Sequence, residues 1–148
     1  MPSDEDLGPQ LSGRLGYLLK RAHLGLAELH EEVLAPFGVS DRELAILLLL
    51  DGREPESQQQ LAHRLGVDRT TMVALIDALE RKELVARRPD PADRRRNVIA
   101  LTDAGQQTRR DATRASDEAE RRLLHDLDDA EADRFRALLR RVARPRRD

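Results

Sequence analysis

The segment Ser57 to Leu101, SQQQLAHRLGVDRTTMVALIDALERKELVARRPDPADRRRNVIAL, constrains the fold more than any other part of the chain. Ser57 and Gln60 form the pattern of a capping box, so a helix starts there. Gly66 supplies a left-handed turn, and Asp68 two residues later caps a second helix. Met72, Leu75, Ile76 and Leu79 are the buried face of that helix. Val85 to Arg88 and Asn97 to Leu101 then read as two short strands around an arginine-rich loop. Two short helices joined by a glycine turn and followed by a hairpin predict a helix-turn-helix with a small β-wing.

The flanks are helical. A stripe of Leu11, Leu15, Leu18, Ala22, Leu26, Leu29 and Val33 predicts a first helix from near Gln10 to about Ala35, ended by Pro36 and Gly38. Ser40 and Glu43 cap a second helix that runs up to Asp51-Gly52 and carries the apolar run Leu44 to Leu50. Thr102 caps a long fifth helix with Ala104, Thr108, Ala112, Ala115, Ala119, Leu123 and Leu127 on one side. Asp128 and Glu131 cap a sixth, with Phe135, Leu138, Leu139 and Val142 as its stripe. The fold class is therefore mainly α, a winged helix-turn-helix over residues 40–101. With no internal repeat and no linker, the 148 residues count as one domain.

Helices of roughly 26 residues, about 39 Å long, at both ends are hard to satisfy within a 148-residue globule. The alanine stripe of the fifth helix also lets another backbone approach closely. The expectation is a homodimer joined through residues 1–36 and 102–148, with the central unit left exposed.

Charge is small overall, at −2, but unevenly placed. Arg81 to Arg96 holds seven basic and three acidic residues, a local net of +4; Ser116 to Asp133 has a local net of −6. A basic patch on an otherwise acidic body is the footprint of oriented phosphate binding. There is no cysteine, which excludes disulfides, thiolate metal sites and a thiol switch. The acidic start MPSDEDLGPQ does not have the pattern of a signal peptide, and no apolar run approaches a membrane span, so a soluble cytoplasmic protein is expected.

The order of elements suits a helix in a DNA major groove and a basic finger in the neighbouring minor groove. In the first turn of the fourth helix, Arg69 can meet a guanine edge or a phosphate, and Thr70 and Thr71 can meet either a phosphate or a base. Val73, away from the core, suits a thymine methyl, while Asp68 serves as the cap. Ser57, Gln58 and Gln59 open the third helix, whose free N–H groups favour a phosphate. Arg81 and Arg88 flank the wing, and Arg94, Arg95 and Arg96 lie on its return. Asp93, two residues before Arg95, is placed to orient that guanidinium for a narrow minor groove. Double-stranded DNA is the expected partner.

The stretches LGYLLKRAHLGLAELHEEVLAPFGVS and LAHRLGVDRTTMVALIDALERKELVARRPDPADRRRNVIALTDAG resemble the MarR-type winged-helix regulators of bacteria over about 135 residues. The segment RRPDPADRRRNVIALTDAG is the most specific part, and the family's wing Asp and Arg match Asp93 and Arg95. The resemblance implies a triangular dimer and repression from pseudo-palindromic sites. It also implies release by a small anionic or phenolic compound bound between the dimer helices and the DNA-binding lobe. Three positions depart from the pattern. Glu83 stands where the family usually has Gly, so it either adopts a left-handed conformation or the helix ends differently. Leu44 replaces a frequent Trp, leaving little aromatic surface for a phenolic effector, and Ala92 stands where an Arg is common.

His23 and His30, seven apart on one helix, read as interface or half-buried histidines rather than as a metal pair. His63 lies beside the reading head and is placed to touch phosphate; His125 is expected to be exposed. No cofactor or metal is expected, and no nucleophile–base pair or phosphate loop indicates an enzyme. The alternative to a DNA-binding regulator is a winged-helix architectural or protein-interaction module without an effector, its wing bound to an acidic partner.

Overall fold

A computed structural model describes residues 4–143. Its elements are α1 (Asp4–Leu7), α2 (Pro9–Ser12), α3 (Leu15–Leu34), a 3-10 turn (Ala35–Phe37), α4 (Asp41–Leu50), α5 (Gln58–Leu65), α6 (Arg69–Arg81), β1 (Val85–Pro89), β2 (Asn97–Leu101), α7 (Asp103–Leu123) and α8 (Asp129–Val142). The chain forms two compact units. One holds the segments up to Leu29 and from Glu118 onward; the other is His30–Asp117.

In the central unit the two strands pair antiparallel, with Val85 opposite Leu101 and Pro89 opposite Asn97. Pro89 sits at the strand end, where its missing N–H costs no ladder bond. The sequence did not suggest a third member. Glu56 bridges Ile99, whose N–H donates to the Glu56 carbonyl at 2.8 Å. The core gathers Leu34, Leu44, Ile46, Leu47, Leu61, Met72, Ile76, Leu79, Leu84, Val85 and Ile99. Both capping boxes form as expected. Ser40 Oγ accepts from Glu43 N at 3.1 Å, and Ser57 Oγ accepts from Gln60 N at 3.2 Å. Glu43 is nearly buried and also accepts from Lys82 Nζ at 2.7 and 3.0 Å, which ties α4 to the end of α6.

That end is unusual. Glu83 adopts φ 60°, the only non-glycine with positive φ among the described residues. Leu84 N donates to Leu79 O at 3.0 Å and Glu83 N to Glu80 O at 2.9 Å, the pair of bonds of a Schellman turn. Thr102 Oγ1 then donates to Glu83 O at 2.6 Å and accepts from Gly105 N at 3.0 Å, while Thr102 N donates to Leu84 O at 3.1 Å. The LTDAG stretch thus clamps the turn that follows α6 onto the start of α7. A left-handed L-residue costs about 1–2 kcal/mol. Glu83→Gly is therefore expected to stabilise the protein by up to about 1 kcal/mol once the extra freedom of the unfolded glycine is set against it. A lower urea midpoint at unchanged slope would contradict this.

In the terminal unit the helix boundaries differ from expectation. The first helix is broken: α2 ends at Ser12, Gly13 caps it through a bond to Leu11 O, and α3 begins only at Leu15. Glycine has little helix propensity, and Gly13 and Gly16 lie on either side of the α3 start, so the leucine stripe does not carry the helix across. α7 stops at Leu123 rather than continuing to Leu127. His125 Nδ1 lies 3.1 Å from Arg122 O, and Asp128 caps α8 by accepting from Glu131 N at 2.8 Å. The two long helices are thus 20 and 21 residues, or about 30 Å each. α8 buries none of its residues fully. Leu15, Leu18, Leu19, Leu24, Phe135, Leu138 and Val142 stay exposed, Leu15 at 71% and Val142 at 77%. Among the described residues no helix is long and apolar enough to cross a membrane.

Candidate nucleic-acid interface

α6 starts where Gly66, at φ 65°, closes α5 with bonds from Val67 N to Ala62 O and from Gly66 N to His63 O. Asp68 is the cap, as expected. Its Oδ1 accepts from Thr71 N at 2.8 Å and its Oδ2 accepts from the Thr71 hydroxyl at 2.7 Å. The Thr71 backbone N–H, then its hydroxyl, hold the Asp68 carboxyl below the usual range. The Thr71 hydroxyl is thereby engaged, which leaves Arg69 and Thr70 as the exposed pair at the head of the helix. Val73 is half-buried.

The opening of α5 faces the same region. Ser57 is 8% exposed and its hydroxyl is used by the cap, so its contribution to anion binding comes through the helix start rather than a free side chain. Ser57, Gln58, Gln59, Arg69, Arg96 and Asn97 line one open cleft of about 340 Å³. The fold thus brings together residues as far apart in sequence as Ser57 and Asn97, with two guanidinium groups and the amino end of a helix on one concave surface. A neighbouring cleft adds the exposed His63.

The wing is shaped by its aspartates. Asp90 N donates to Arg96 O at 2.8 Å, Arg96 N to Asp93 O at 2.9 Å, Ala92 N to Asp90 Oδ1 at 2.9 Å and Arg95 N to Asp93 Oδ1 at 3.1 Å. Asp93 therefore positions Arg95 chiefly through the backbone. The guanidinium lies 3.6 Å from the carboxylate, too long for a hydrogen bond, and the Arg95 side chain is 94% exposed. Arg81, Arg88, Arg94 and Arg96 are exposed as well.

One arginine of the basic run around the wing is engaged within the fold. Arg87, on β1, is ringed by Asp77, Glu80 and Gln58. Its acceptors lie 7, 10 and 29 residues away, so no local pattern marks it. Asp77 foremost holds its pKa above the ordinary value. The histidines are placed apart. His30 Nε2 lies 3.0 Å from Ser116 Oγ, and His23 borders an apolar hollow with Leu19, Leu26 and Leu123. Among the described residues no group of three or more His, Asp or Glu side chains could hold a metal ion.

A capped helix with a free basic head, a helix start turned to the same cleft and an arginine-tipped hairpin define a winged helix-turn-helix protein. Comparison with known proteins narrows the class. Residues 39–96 match the MarR family. The regulator PecS of Dickeya dadantii is 31% identical over 127 residues, covering 84% of this chain and 76% of PecS. The repressor NicR of Pseudomonas putida is 28% identical over 92 residues, 62% of this chain and 58% of NicR. The structure of the transcriptional repressor CouR bound to a 23-mer DNA duplex superposes with a TM-score of 0.85 at 36% identity, covering 92% of this chain and 96% of that one. CouR from Rhodococcus jostii RHA1 bound to p-coumaroyl-CoA gives 0.80 at 32% identity, with 95% and 99% covered. The chain belongs to the MarR family of transcriptional regulators.

Oxidation follows a simple expectation. The chain has no cysteine, and Met72, one turn along α6 from Arg69, is 0% exposed. Peroxide at levels that inactivate thiol regulators should leave DNA affinity unchanged. A large, reversible loss of binding would contradict it.

Proposed function

We propose that this chain is a cytoplasmic, sequence-specific transcriptional repressor that binds a pseudo-palindromic operator as a homodimer and is released by a small-molecule effector. The observation that carries the reading is the shared cleft of Ser57, Gln58, Gln59, Arg69 and Arg96 beside a wing tipped by Arg94 and Arg95. In this reading α6 enters the major groove, where the exposed Arg69 and Thr70 meet bases or phosphate, with the half-buried Val73 beside them and Thr71 holding the Asp68 cap. Ser57, Gln58, Gln59, Arg81, Arg88 and Arg96 hold the backbone, and Arg94 and Arg95, set by Asp93, reach into the minor groove. CouR, similar over nearly the whole chain, supports both parts: its structures hold a DNA duplex in one case and p-coumaroyl-CoA in another.

The exposed apolar residues of α3 and α8 support the dimer, formed through the terminal segments, because a patch of that kind on a free chain is unusual. Residues 144–148, part of the expected dimer segment, lie outside the described residues. Selection of duplexes from a randomised pool tests the function. The expected product is an inverted repeat with half-site centres about 10 bp apart or a near multiple. Enrichment of no sequence would support the alternative, a module that binds by charge alone.

A further inference from the structure

The Arg87 side chain makes three hydrogen bonds within the central unit and is 26% exposed, unlike the open arginines of the wing. Its Nη2 donates to Asp77 Oδ1 at 2.6 Å and to Gln58 Oε1 at 3.2 Å, and its Nη1 donates to Glu80 Oε1 at 2.8 Å. Its backbone N–H donates to the other Glu80 oxygen at 3.3 Å. One guanidinium thus joins β1 to the outer face of α6 and to the first turn of α5. Two carboxylates surround it, so the cluster is net negative and supplies no counter-charge for phosphate.

Gln58 is the member whose chemistry this decides. A guanidinium offers donors only, so the amide must turn its oxygen toward Arg87. The other end of the amide, the NH₂, is then the end left for the cleft that Gln58 lines with Arg69 and Arg96. A donor there works with the two arginines on an anion. An oxygen would oppose them.

We propose that Arg87 is a positioning residue for DNA binding: it fixes the Gln58 amide with its NH₂ presented to a backbone phosphate while holding β1 against α6. The inference rests on the DNA-binding reading above. Without Arg87 the amide has no reason to prefer either orientation, so Gln58 loses its role although it is still present.

A double-mutant cycle tests this, using the duplex that the wild-type protein enriches from a randomised pool. Gln58→Ala, Arg87→Met and the double variant are titrated, and thermal melts establish that each is folded at the assay temperature. Gln58→Ala alone is expected to weaken binding about tenfold, the scale of a hydrogen bond to a charged group. In the Arg87→Met background the same change should cost less than about twofold. The carboxylates exposed by Arg87→Met are common to both arms and cancel. If Arg87→Met does not fold, Arg87→Lys replaces it; lysine keeps a cation for Asp77 and Glu80 but lacks the planar fork that also reaches Gln58, and the same loss of coupling is expected. A tenfold cost of Gln58→Ala in both backgrounds, or no cost in the wild type, overturns the inference while leaving the DNA-binding reading intact. A wild-type protein that enriches no duplex removes both.

Discussion

Gly105→Ala is expected to destabilise the protein by about 3 kcal/mol or more. Gly105 is buried in the first turn of α7, against the chain segment that leaves α6. A Cβ there would stand 2.0 Å from the Leu84 carbonyl oxygen, 3.0 Å from its carbon and 3.2 Å from Leu101 Cδ2. The first two are backbone atoms, and that oxygen already accepts from Thr102 N at 3.1 Å, so no side-chain rotation relieves the clash. Relief requires α7 to move away from Leu84, which breaks the Thr102 clamp on Glu83 and loosens the junction that sets β1 behind α6. DNA affinity should fall with stability. Urea unfolding monitored by circular dichroism measures the effect, and a change below about 1 kcal/mol would show that the junction tolerates the shift.

The second large effect separates the wing from α6. Arg95→Ala removes a fully solvated guanidinium with only a long contact to Asp93, so its cost to folding is expected to be negligible. Its cost to binding should be clear, and greater on A·T-rich flanks, where the minor groove is narrow and more negative, than on G·C-rich ones. Arg69→Ala should behave differently. Arg69 is exposed at the head of α6, and if it pairs with a guanine its loss costs about 1–3 kcal/mol and relaxes preference at one base pair. If it holds phosphate instead, binding falls evenly across sequences and the salt slope shrinks by about one ion. Titration of both variants against single-base operator changes at several salt concentrations resolves these outcomes. An Arg95→Ala protein that binds every sequence like the wild type would reduce the wing to a solvated loop.

Local chemistry explains what was legible in the sequence. The caps at Ser40, Ser57, Asp68, Thr102 and Asp128 each need only a partner three residues away, and all five form. The wing hairpin was legible for the same reason, from β-branched and apolar runs on either side of a Pro-Asp loop. The break at Gly13 was not, because the leucine stripe passes through it without a change of period, and only the weak helix propensity of glycine argues against continuity. The departure at Glu83 left two outcomes open; the left-handed one is adopted because Thr102 and Leu84 supply the bonds that hold it. Ties that cross the unit were beyond reach. Lys82 meets Glu43 across 39 residues, Arg87 meets Gln58 across 29, and Glu56 pairs with Ile99 across the helix-turn-helix. Nothing in the spacing of those residues marks them as partners. As a result, the exposed arginines of α6 and the wing, the Asp68 cap and the Asp93 turn could be named from sequence, whereas the long-range ties of Lys82 and Arg87 could not.

The most direct test of the account compares two duplexes at one salt concentration. One carries the sequence that the protein selects from a randomised pool; the other has the same length and base composition in scrambled order. Phosphate contacts are equal in the two, so any difference reports base and shape readout by α6 and the wing. At about 150 mM salt the account predicts binding to the selected duplex at least about a thousandfold tighter. Equal affinity for both duplexes, weakening together as salt rises, would contradict it.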